Sequence, residues 1–518
     1  MKYYTGKTQR FGKWLSLCAV LAVMFGGLGS AFGDGTAQAT GSNQWGLDHS
    51  YDYLYIGSGG TAILTSTLGN ITVVISNTTT LGYGANGTGY LYMNKGNFTT
   101  SYLVLGSVLS STGGLTIAGG TFTSNNTSLV GSVGSGTVTV SGGVWKSGSI
   151  SVGDSATGNG TVTVTSGSVA ASSGIKVGNS GTGTLNINGG IVTATNSYLG
   201  YNAGSLGTAT VTGGTLSTAT LDVGRAGNGT LTLGGTGVVT VSSGTLNVAS
   251  LTGTGTLNLG TGGSSVGTLN VSTVTGGSGN ATVNFNASGT HSYNQSFTGS
   301  LKVNQIGSGT TTLTGTNIYT GLTTVSSGEL KVNGSLATTG TVKVTSGGRL
   351  SGSGAVGNVN VTGGTVAPGN SPGTISVTSL TLDSASTLEM QITGTTAGTF
   401  DQVRVSDYVS LSGTLALTGL DALTEMGATI TLISIDGTAV AKVVGQFTAV
   451  TVSGTSVVLA NGATTATFSS GGVDYEVEYN GGDGNDVTIT VVPEPSSWAL
   501  LIGAVGFLAW HRRRRGSW

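Results

Sequence analysis

The sequence is poor in charged residues, proline and cysteine. Charged residues make up 7% of its 518 residues, and it contains four prolines and a single cysteine, Cys18. A chain with one cysteine has no disulfide framework to hold its fold together. Scarce charge and the lack of a proline-rich tract are not typical of disordered chains, which are rich in both. The body of the chain must therefore be stabilised by packing and by backbone hydrogen bonds.

Clustered basic residues are also missing from the body of the chain. Between Thr40 and Thr490, ten basic residues stand against seventeen acidic ones. Nucleic-acid binding needs Lys and Arg gathered on one face, so we expect no nucleic-acid partner. The three histidines, His49, His291 and His511, are scattered and lack metal-ligand spacing. The sequence predicts no cofactor.

Glycine, by contrast, is abundant, with 95 residues, and it recurs with a period. An aliphatic residue runs into a glycine eight times, at successive steps of 25, 24, 25, 22, 25, 22 and 24 residues. We name these the corner glycines: Gly57, Gly82, Gly106, Gly131, Gly153, Gly178, Gly200 and Gly224. The residues directly before them form an aliphatic series: Ile56, Leu81, Leu105, Val130, Val152, Val177, Leu199 and Val223. A fixed step of this length indicates a repeat architecture.

Within each repeat, apolar residues alternate with Thr or Asn, which is typical of a strand with one buried face. Leu185 and Ile187 should point inward, and Thr184 and Asn186 outward. An antiparallel meander is the competing interpretation, but its hairpins would favour Asn-Gly or Asp-Gly turns at shorter spacing. The long period favours an all-β fold, a right-handed parallel β-helix whose aliphatic series forms the core.

The change in pattern along the chain predicts five segments. After about Ser250 the step blurs, and after 380 longer aliphatic strands and more acidic residues appear. The pattern is compatible with two arrangements of the last β-rich part, a continuation of the helix or a separate cap. The segments are a signal peptide (1–39), β-helix repeats (40–250), their continuation (251–380), a β-rich carboxyl-terminal module (381–490) and a sorting tail (492–515).

The amino-terminal segment is typical of a secretory signal peptide. Four basic residues within 2–13 precede an apolar stretch and then small residues. Ala37-Gln38-Ala39 is the best cleavage pattern, although Ala31 lies closer to the apolar stretch. We therefore expect the protein to be exported.

A phrase from Gly307 to Ser335 resembles the autotransporter-associated β-strand repeat. The segments TGTNIYTG and TTVSSGELKVNG match its pattern almost throughout. The turn from Pro368 to Thr374, PGNSPGT, resembles a turn of autotransporter-like passenger regions. The resemblance implies a β-helical exported passenger and implies no catalytic activity.

The extreme carboxyl terminus has three parts in a fixed order. Pro493, Glu494 and Pro495 precede an apolar run, Trp498 to Trp510, and then Arg512, Arg513, Arg514 and Arg515. This arrangement resembles a PEP-CTERM sorting signal. The resemblance implies a temporary membrane anchor that an exosortase cuts near the Pro-Glu-Pro during export to the cell surface. It also implies a link to extracellular polysaccharide and biofilm.

Charge and length agree with this interpretation of the tail. As a helix, Trp498 to Trp510 would span about 20 Å, which is short for a hydrocarbon core of about 30 Å. Flanking residues and snorkelling arginines can extend such a span. The arginine cluster should hold that end in the cytoplasm, so we predict one short transmembrane helix and an inner-membrane intermediate.

Three candidate sites carry weaker patterns. GGDGNDVTI, from Gly481, matches a single calcium-binding β-roll nonapeptide, with Asp483, Asn485 and Asp486 as candidate ligands. Such sites need tandem copies, so a glycine-rich turn is the favoured interpretation and we predict no metal site. Tyr83 and Tyr201 follow corner glycines on the outer surface, and we leave their role open. The tyrosines of the strand 51–55 are better explained as a cover for the open end of the solenoid.

The sequence therefore predicts a non-enzymatic structural or adhesive protein of the cell surface or extracellular matrix. The alternative is a carbohydrate-active enzyme, because parallel β-helices also host such activities. Glycoside hydrolysis usually needs two neighbouring carboxylates. Asp154 falls alone in its repeat, and Asp222 should point to solvent because Leu221 and Val223 point inward. We expect no catalytic residues.

Overall fold

The computed structural model describes residues 35–38, 50–58, 61–66, 72–436, 442–462 and 464–492, together with Arg512. Its described residues fall into two compact units, the first within 1–287 and 295–302, the second within 288–294 and 303–518. Most of the signal peptide and the entire apolar run of the tail lie outside the described residues. Among the residues that are described, no helix has the length and apolar character needed to cross a membrane.

The strands are numbered in chain order. Those before residue 288 are β1 Gly35–Gln38, β2 Ser50–Ser58, β3 Thr61–Ser66, β4 Thr72–Tyr83, β5 Thr88–Met93, β6 Asn97–Leu105, β7 Thr112–Ile117, β8 Thr121–Val130, β9 Ser135–Val152, β10 Asn159–Val177, β11 Thr182–Ile187, β12 Ile191–Leu199, β13 Leu206–Val211, β14 Thr215–Val223, β15 Asn228–Leu233, β16 Gly235–Val241, β17 Thr245–Val248, β18 Thr254–Leu259, β19 Val266–Asn270, β20 Thr273–Gly276 and β21 Asn280–Phe285.

The later strands are β22 Thr290–Tyr293, β23 Ser296–Gly299, β24 Lys302–Gln305, β25 Thr310–Leu313, β26 Thr323–Val325, β27 Gly328–Val332, β28 Thr341–Thr345, β29 Gly348–Gly352, β30 Ala355–Thr362, β31 Thr365–Pro368, β32 Thr374–Leu382, β33 Thr387–Gln391, β34 Gln402–Val405, β35 Val409–Leu411, β36 Thr414–Thr418, β37 Thr429–Ile435, β38 Val443–Gly445, β39 Ala449–Val452, β40 Thr455–Val457, β41 Ala460–Asn461, β42 Thr465–Ser470, β43 Val473–Gly481 and β44 Asp486–Val492. A short 3-10 turn covers Leu420–Ala422.

The first unit is a parallel β-solenoid, as the repeat predicts. Each strand pairs in parallel with the equivalent strand of the next coil, so that Gly136, Gly160, Gly183 and Gly207 lie in register on β9, β10, β11 and β13. Leu185 and Ile187 are buried, whereas Thr184 and Asn186 are half-buried. All eight aliphatic residues before the corner glycines are at most 6% exposed. The prediction of a parallel solenoid with this core is confirmed.

The corner glycines are fixed by backbone geometry. All eight have φ between 66° and 79°, a left-handed conformation that residues with a side chain rarely adopt. A Cβ on any of them would lie 2.0–2.5 Å from a carbonyl group of the following coil. The next corner position is taken by Ala249, with φ 51°, which explains why the glycine step blurs near Ser250.

A second corner of the first unit is held by buried hydroxyls. The parallel register shifts there, for example between Ser124 and Thr127, which leaves backbone carbonyls without ladder partners. The Ser124 hydroxyl donates to the Thr127 carbonyl at 3.3 Å, and the Ser147 hydroxyl donates to the Ser149 carbonyl at 2.7 Å. The small hydroxyl residues at this corner therefore donate hydrogen bonds to the backbone carbonyls where the chain bends.

In the second unit, the segment that resembles the autotransporter-associated repeat forms one coil of parallel strands, with β25 paired to β27. Asn317 is buried, and its amide donates to the carbonyls of Gly315 at 3.0 Å and Ser335 at 3.1 Å. The buried hydroxyl of Tyr319 lies 2.7 Å from that of Thr323. Asn317 thus joins its coil to the next, whereas Tyr319 and Thr323 hold the loop within one coil.

For the β-rich carboxyl-terminal module, 381–490, the sequence leaves open whether the solenoid continues, and the strand pairing shows how these strands are arranged. Parallel pairing continues through β33, β36 and β39 to Val452. Antiparallel pairing then takes over, since β40 turns back on β39, and β41 to β44 form a meander whose last strand pairs with β37. Residues 381–452 therefore continue the solenoid, and only about 455–492 form a different, antiparallel arrangement.

Candidate functional site

The outward-facing residues that directly follow the corner glycines are the first candidates for a functional site. Asp154 lies directly after Gly153, and its Oδ1 accepts hydrogen bonds from the Ser151 hydroxyl at 2.6 Å and the Asn179 amide at 2.9 Å. Asn179 occupies the same position one coil further on. The carboxylate therefore links two coils along the axis.

Tyr201 lies at the same column and is surrounded by cations. The Lys176 Nζ lies 4.0 Å from the centre of its ring and the Arg225 guanidinium 4.7 Å, while the Tyr198 ring packs edge-on at 5.0 Å. Cation–π contacts of this kind hold the side chains of successive coils together. The Tyr83 ring, 43% exposed, lies 4.4 Å from the ring of Tyr55. The side chains of Tyr51 and Tyr53 lie outside the described residues.

Asp222 corrects the expectation that it points to solvent. It points away from the core, but Ser250 of the next coil covers it, and only 7% of the residue is exposed. Its Oδ2 accepts the Ser250 hydroxyl, whereas its buried Oδ1 has no hydrogen-bond partner. Burial raises the pKa of this carboxyl above the usual 3.8, although the Ser250 hydrogen bond and the Arg225 charge lower it. The alternation of residues correctly predicted that Asp222 points away from the core. It could not predict that Ser250 of the next coil covers it.

The nonapeptide-like stretch forms the turn between β43 and β44, where Gly481 pairs with Asp486. The Asp486 Oδ1 accepts the Ile435 backbone N–H at 2.9 Å, which ties the turn to β37. Burial raises the pKa of Asp486, and the neighbouring charge of Asp483 raises it further. Asn485 is buried. In the part of the chain that the structure describes, no three His, Cys, Asp or Glu side chains converge as a metal site.

A pocket in the second unit was not predicted. Its volume is about 380 Å³, within the range of small-molecule sites. Ser351 and Ala367 occupy one outward-facing column of β29 and β31, yet both are at most 5% exposed because longer groups surround them. They form the floor. We name this site the turn pocket, because the turn Pro368–Thr374 forms one wall.

A chain of ion pairs borders the turn pocket. Arg349 of β29 contacts Glu389 through its Nη1 and lies 3.6 Å from Glu329 through its Nε. Glu329 also accepts the hydroxyls of Thr310, at 3.1 Å, and Ser351. One guanidinium therefore fixes two carboxylates that belong to strands several coils apart.

Asp401 holds the wall of the pocket. It is 4% exposed, and its two oxygens accept the backbone N–H groups of Gly373 and Gln391, each at 2.8 Å. Burial raises the pKa of this carboxyl, and the two hydrogen bonds and Arg349 oppose that rise. Because one bond ends on the turn and the other on β33, Asp401 fixes the turn against the sheet.

Two sequence signals could have found the turn pocket. The Pro-Gly-Asn-Ser-Pro-Gly phrase breaks the repeat, and Glu329, Arg349 and Glu389 are rare charges in a chain that carries only 7%. The register that brings Glu329 and Glu389 to the same arginine depends on coil lengths. That register is visible only in the strand pairing.

The predicted sorting residues lie outside this geometry. Pro493, Glu494, Pro495 and Arg513, Arg514 and Arg515 are not among the described residues, and Arg512 is described as exposed. The predicted transmembrane segment 498–510 is likewise outside the described residues. The roles assigned to these residues therefore remain predictions from the sequence.

The fold defines an all-β protein of the parallel β-solenoid class. Comparison with family descriptions adds that residues 491–515 match the PEP-CTERM protein-sorting motif. The chain therefore carries a sorting motif of exported proteins that an exosortase processes after a membrane-anchored stage. No curated protein matches the chain. The resemblance to autotransporter-associated repeats stays a prediction.

Proposed function

We propose that this protein is a non-enzymatic structural or adhesive component of the cell surface or extracellular matrix. The observation that carries the proposal is the PEP-CTERM motif at 491–515, which begins within the last strand, β44, of a chain built largely of solenoid coils. A stack of coils with an outer surface rich in Thr and Ser is suited to display and adhesion. An association with extracellular polysaccharide or biofilm belongs to the same proposal.

Processing of the tail is the sharpest test. Replacing Pro493, Glu494 and Pro495 with alanine should keep the chain in the membrane fraction, uncut. Replacing Arg512 to Arg515 with serine should weaken anchoring instead, because the remaining apolar run is short and uncharged. Mass spectrometry of the released form should find a carboxyl terminus near Glu494. A mature surface form that still contains Trp510 and the arginines would contradict transient anchoring.

A carbohydrate-active enzyme is the second candidate, because carboxylates border the turn pocket. Glu329 and Glu389 are both paired with Arg349, and both oxygens of Asp401 accept backbone N–H groups. Paired carboxylates of this kind favour a structural use over general acid–base catalysis. Purified protein should release no new reducing ends from polysaccharides. Turnover that is abolished by changing Asp154, Asp222 or Glu389 would refute the non-enzymatic proposal.

A further inference from the structure

The turn pocket concentrates charge in a chain that has little. Five of its eighteen lining residues are charged, namely Glu329, Lys331, Arg349, Glu389 and Asp401, against 7% in the whole sequence. At the average frequency, a set of this size would contain about one charged residue. Composition alone therefore does not explain the pocket, and its polar groups require either a structural or a binding role.

Only some of these charged groups have a clear structural role. Both oxygens of Asp401 accept backbone N–H groups of the turn and of β33, and Glu329 accepts hydroxyls from β25 and β29. Glu389 and Arg349 remain 42% and 38% exposed in their side chains, and Gln391 and Lys331 are half-buried at the same opening. The exposed Asn370 of the turn lines the same pocket. Donors and acceptors are thus left available around one depression.

These groups are held in place before any ligand arrives. Arg349 is fixed from two sides by carboxylates, and the Gln391 side chain contacts the Ser371 hydroxyl while its backbone N–H bonds to Asp401. The Asn370 amide donates to the Ser353 hydroxyl at 2.9 Å. Fixed groups bind with a smaller loss of conformational entropy.

The balance of charge selects the ligand class. Glu329 and Glu389 disfavour an anion, and Arg349 and Lys331 disfavour a cation. The floor of Ser351 and Ala367 is small, and no aromatic residue lines the pocket. A ligand that fits must donate and accept hydrogen bonds at several points and must present a compact apolar face to the floor. Sugar rings, with hydroxyl edges and C–H faces, have this chemistry.

We propose that the turn pocket binds a neutral saccharide. The Glu389 carboxylate and the Gln391 and Asn370 amides hold its hydroxyl groups, while the ring lies over Ser351 and Ala367. This inference rests on the proposed association with extracellular polysaccharide and gives it a location. It involves no bond cleavage, because Glu329 and Glu389 are paired with Arg349 and Asp401 accepts two backbone N–H groups.

The test is titration calorimetry of the full chain in detergent with short neutral oligosaccharides, next to glucuronate-containing ones. Neutral oligosaccharides should bind, and added salt should leave their affinity unchanged because no net charge is paired. Glu389→Gln and Gln391→Ala should each weaken binding by about tenfold, the loss of a hydrogen bond to a charged or amide group. Glu478→Gln, a half-buried glutamate of β43 outside the pocket, is the matched control and should bind as the parent does.

Three outcomes would overturn the assignment. They are the absence of binding by any neutral oligosaccharide, salt-sensitive binding of glucuronate-containing ones alone, and neutral binding that Glu389→Gln and Gln391→Ala leave unchanged. The last outcome would move the saccharide elsewhere on the protein and leave the proposed association intact. Release of new reducing ends would refute the non-enzymatic function, whereas loss of binding in both variants would still locate the saccharide at the turn pocket.

Discussion

The two units build the same kind of coil with very different use of charge. Between residues 72 and 287 the chain has two acidic and four basic residues, whereas the shorter stretch 303–492 has thirteen acidic and five basic ones. Both stretches stack parallel strands over an aliphatic core, the second as far as Val452. Solenoid coils therefore form with few charged residues, and the additional charges of the second unit need a separate explanation.

The units differ in what holds their turns besides glycine. In both units, glycines let one backbone approach the next so closely that a Cβ would not fit, at the corner glycines of the first unit and at Gly328 and Gly352 of the second. In the second unit, polar side chains act in addition: Asn317, Asp401 and Asp486 each bond to backbone groups of other strands or turns. Asp401 in this way holds the turn that forms one wall of the turn pocket.

Removing a corner glycine should have the largest effect. Gly153→Ala places a Cβ 2.2 Å from the Thr182 carbonyl oxygen at a φ of 69°. We expect the free energy of unfolding to fall by about 4 kcal/mol or more, or the first unit not to fold. Urea unfolding followed by the fluorescence of buried Trp145, with the other tryptophans replaced by phenylalanine, measures it.

Gly204→Ala is the matched control for this prediction. Gly204 has a φ of 79°, but a Cβ there would meet nothing within 4 Å. Its replacement by alanine should lower the free energy of unfolding only through the strain of the left-handed backbone conformation, by about 1–2 kcal/mol. Equal losses in the two variants would show that backbone conformation, and not close approach of coils, makes the corner glycines necessary.

This contrast also shows why the sequence revealed one unit better than the other. The corner glycines and the aliphatic residues before them are dictated by local geometry, so they recur in the sequence at a visible step. Leu185 and Ile187 lie inside as the alternation predicts. Fold class and core could therefore be predicted for the first unit.

The turn pocket and the cover of Asp222 depend on contacts between coils, which no local pattern contains. Ser250 reaches Asp222 from 28 residues away, and Arg349 reaches Glu389 from 40 residues away. Alternation assigns a face to such residues but not their neighbours. The sequence also left open where parallel pairing ends, because parallel and antiparallel strands share the same alternation.

Asp401→Asn should have the next largest effect. An amide can accept only one of the two N–H groups that Asp401 now binds, and it turns a donor toward the other. The expected loss is about 1–3 kcal/mol, with faster hydrogen exchange in the turn Pro368–Thr374. Asp407→Asn, at an exposed position of the same unit, should change neither. An unaltered turn in Asp401→Asn would mean that Asp401 does not hold it.

Asp222→Asn should act in the opposite direction. Burial raises the native pKa of Asp222 above its usual 3.8, so the native state binds more protons than the unfolded state between these values. This contribution to stability is present below 3.8 and is lost as the pH rises through the native pKa. The variant removes the buried charge, so at neutral pH we expect unchanged stability or a gain of up to about 1 kcal/mol.

The pH profile distinguishes this explanation from a simple packing effect. Parent protein should gain stability when the pH is lowered from neutral toward the native pKa, and Asp222→Asn should lose that gain in the first unit. Trp145 fluorescence in urea at a series of pH values reports it. A variant that is less stable than the parent at neutral pH, with the same pH profile, would show that the Ser250 hydrogen bond outweighs the cost of burial.

The smallest effect is expected for an exposed ion pair that lies outside the turn pocket. The Arg404 Nη2 lies 3.6 Å from the Asp436 Oδ1, and both side chains are 58% exposed. Solvent and salt screen such a pair, so Arg404→Ala should change the free energy of unfolding by less than about 0.5 kcal/mol. Arg349→Ala, which strips partners from Glu329 and Glu389 beside the turn pocket, should cost more. If urea unfolding gave the two variants equal losses, the charges of the second unit would be a general surface property, and their concentration at the pocket would have no structural meaning.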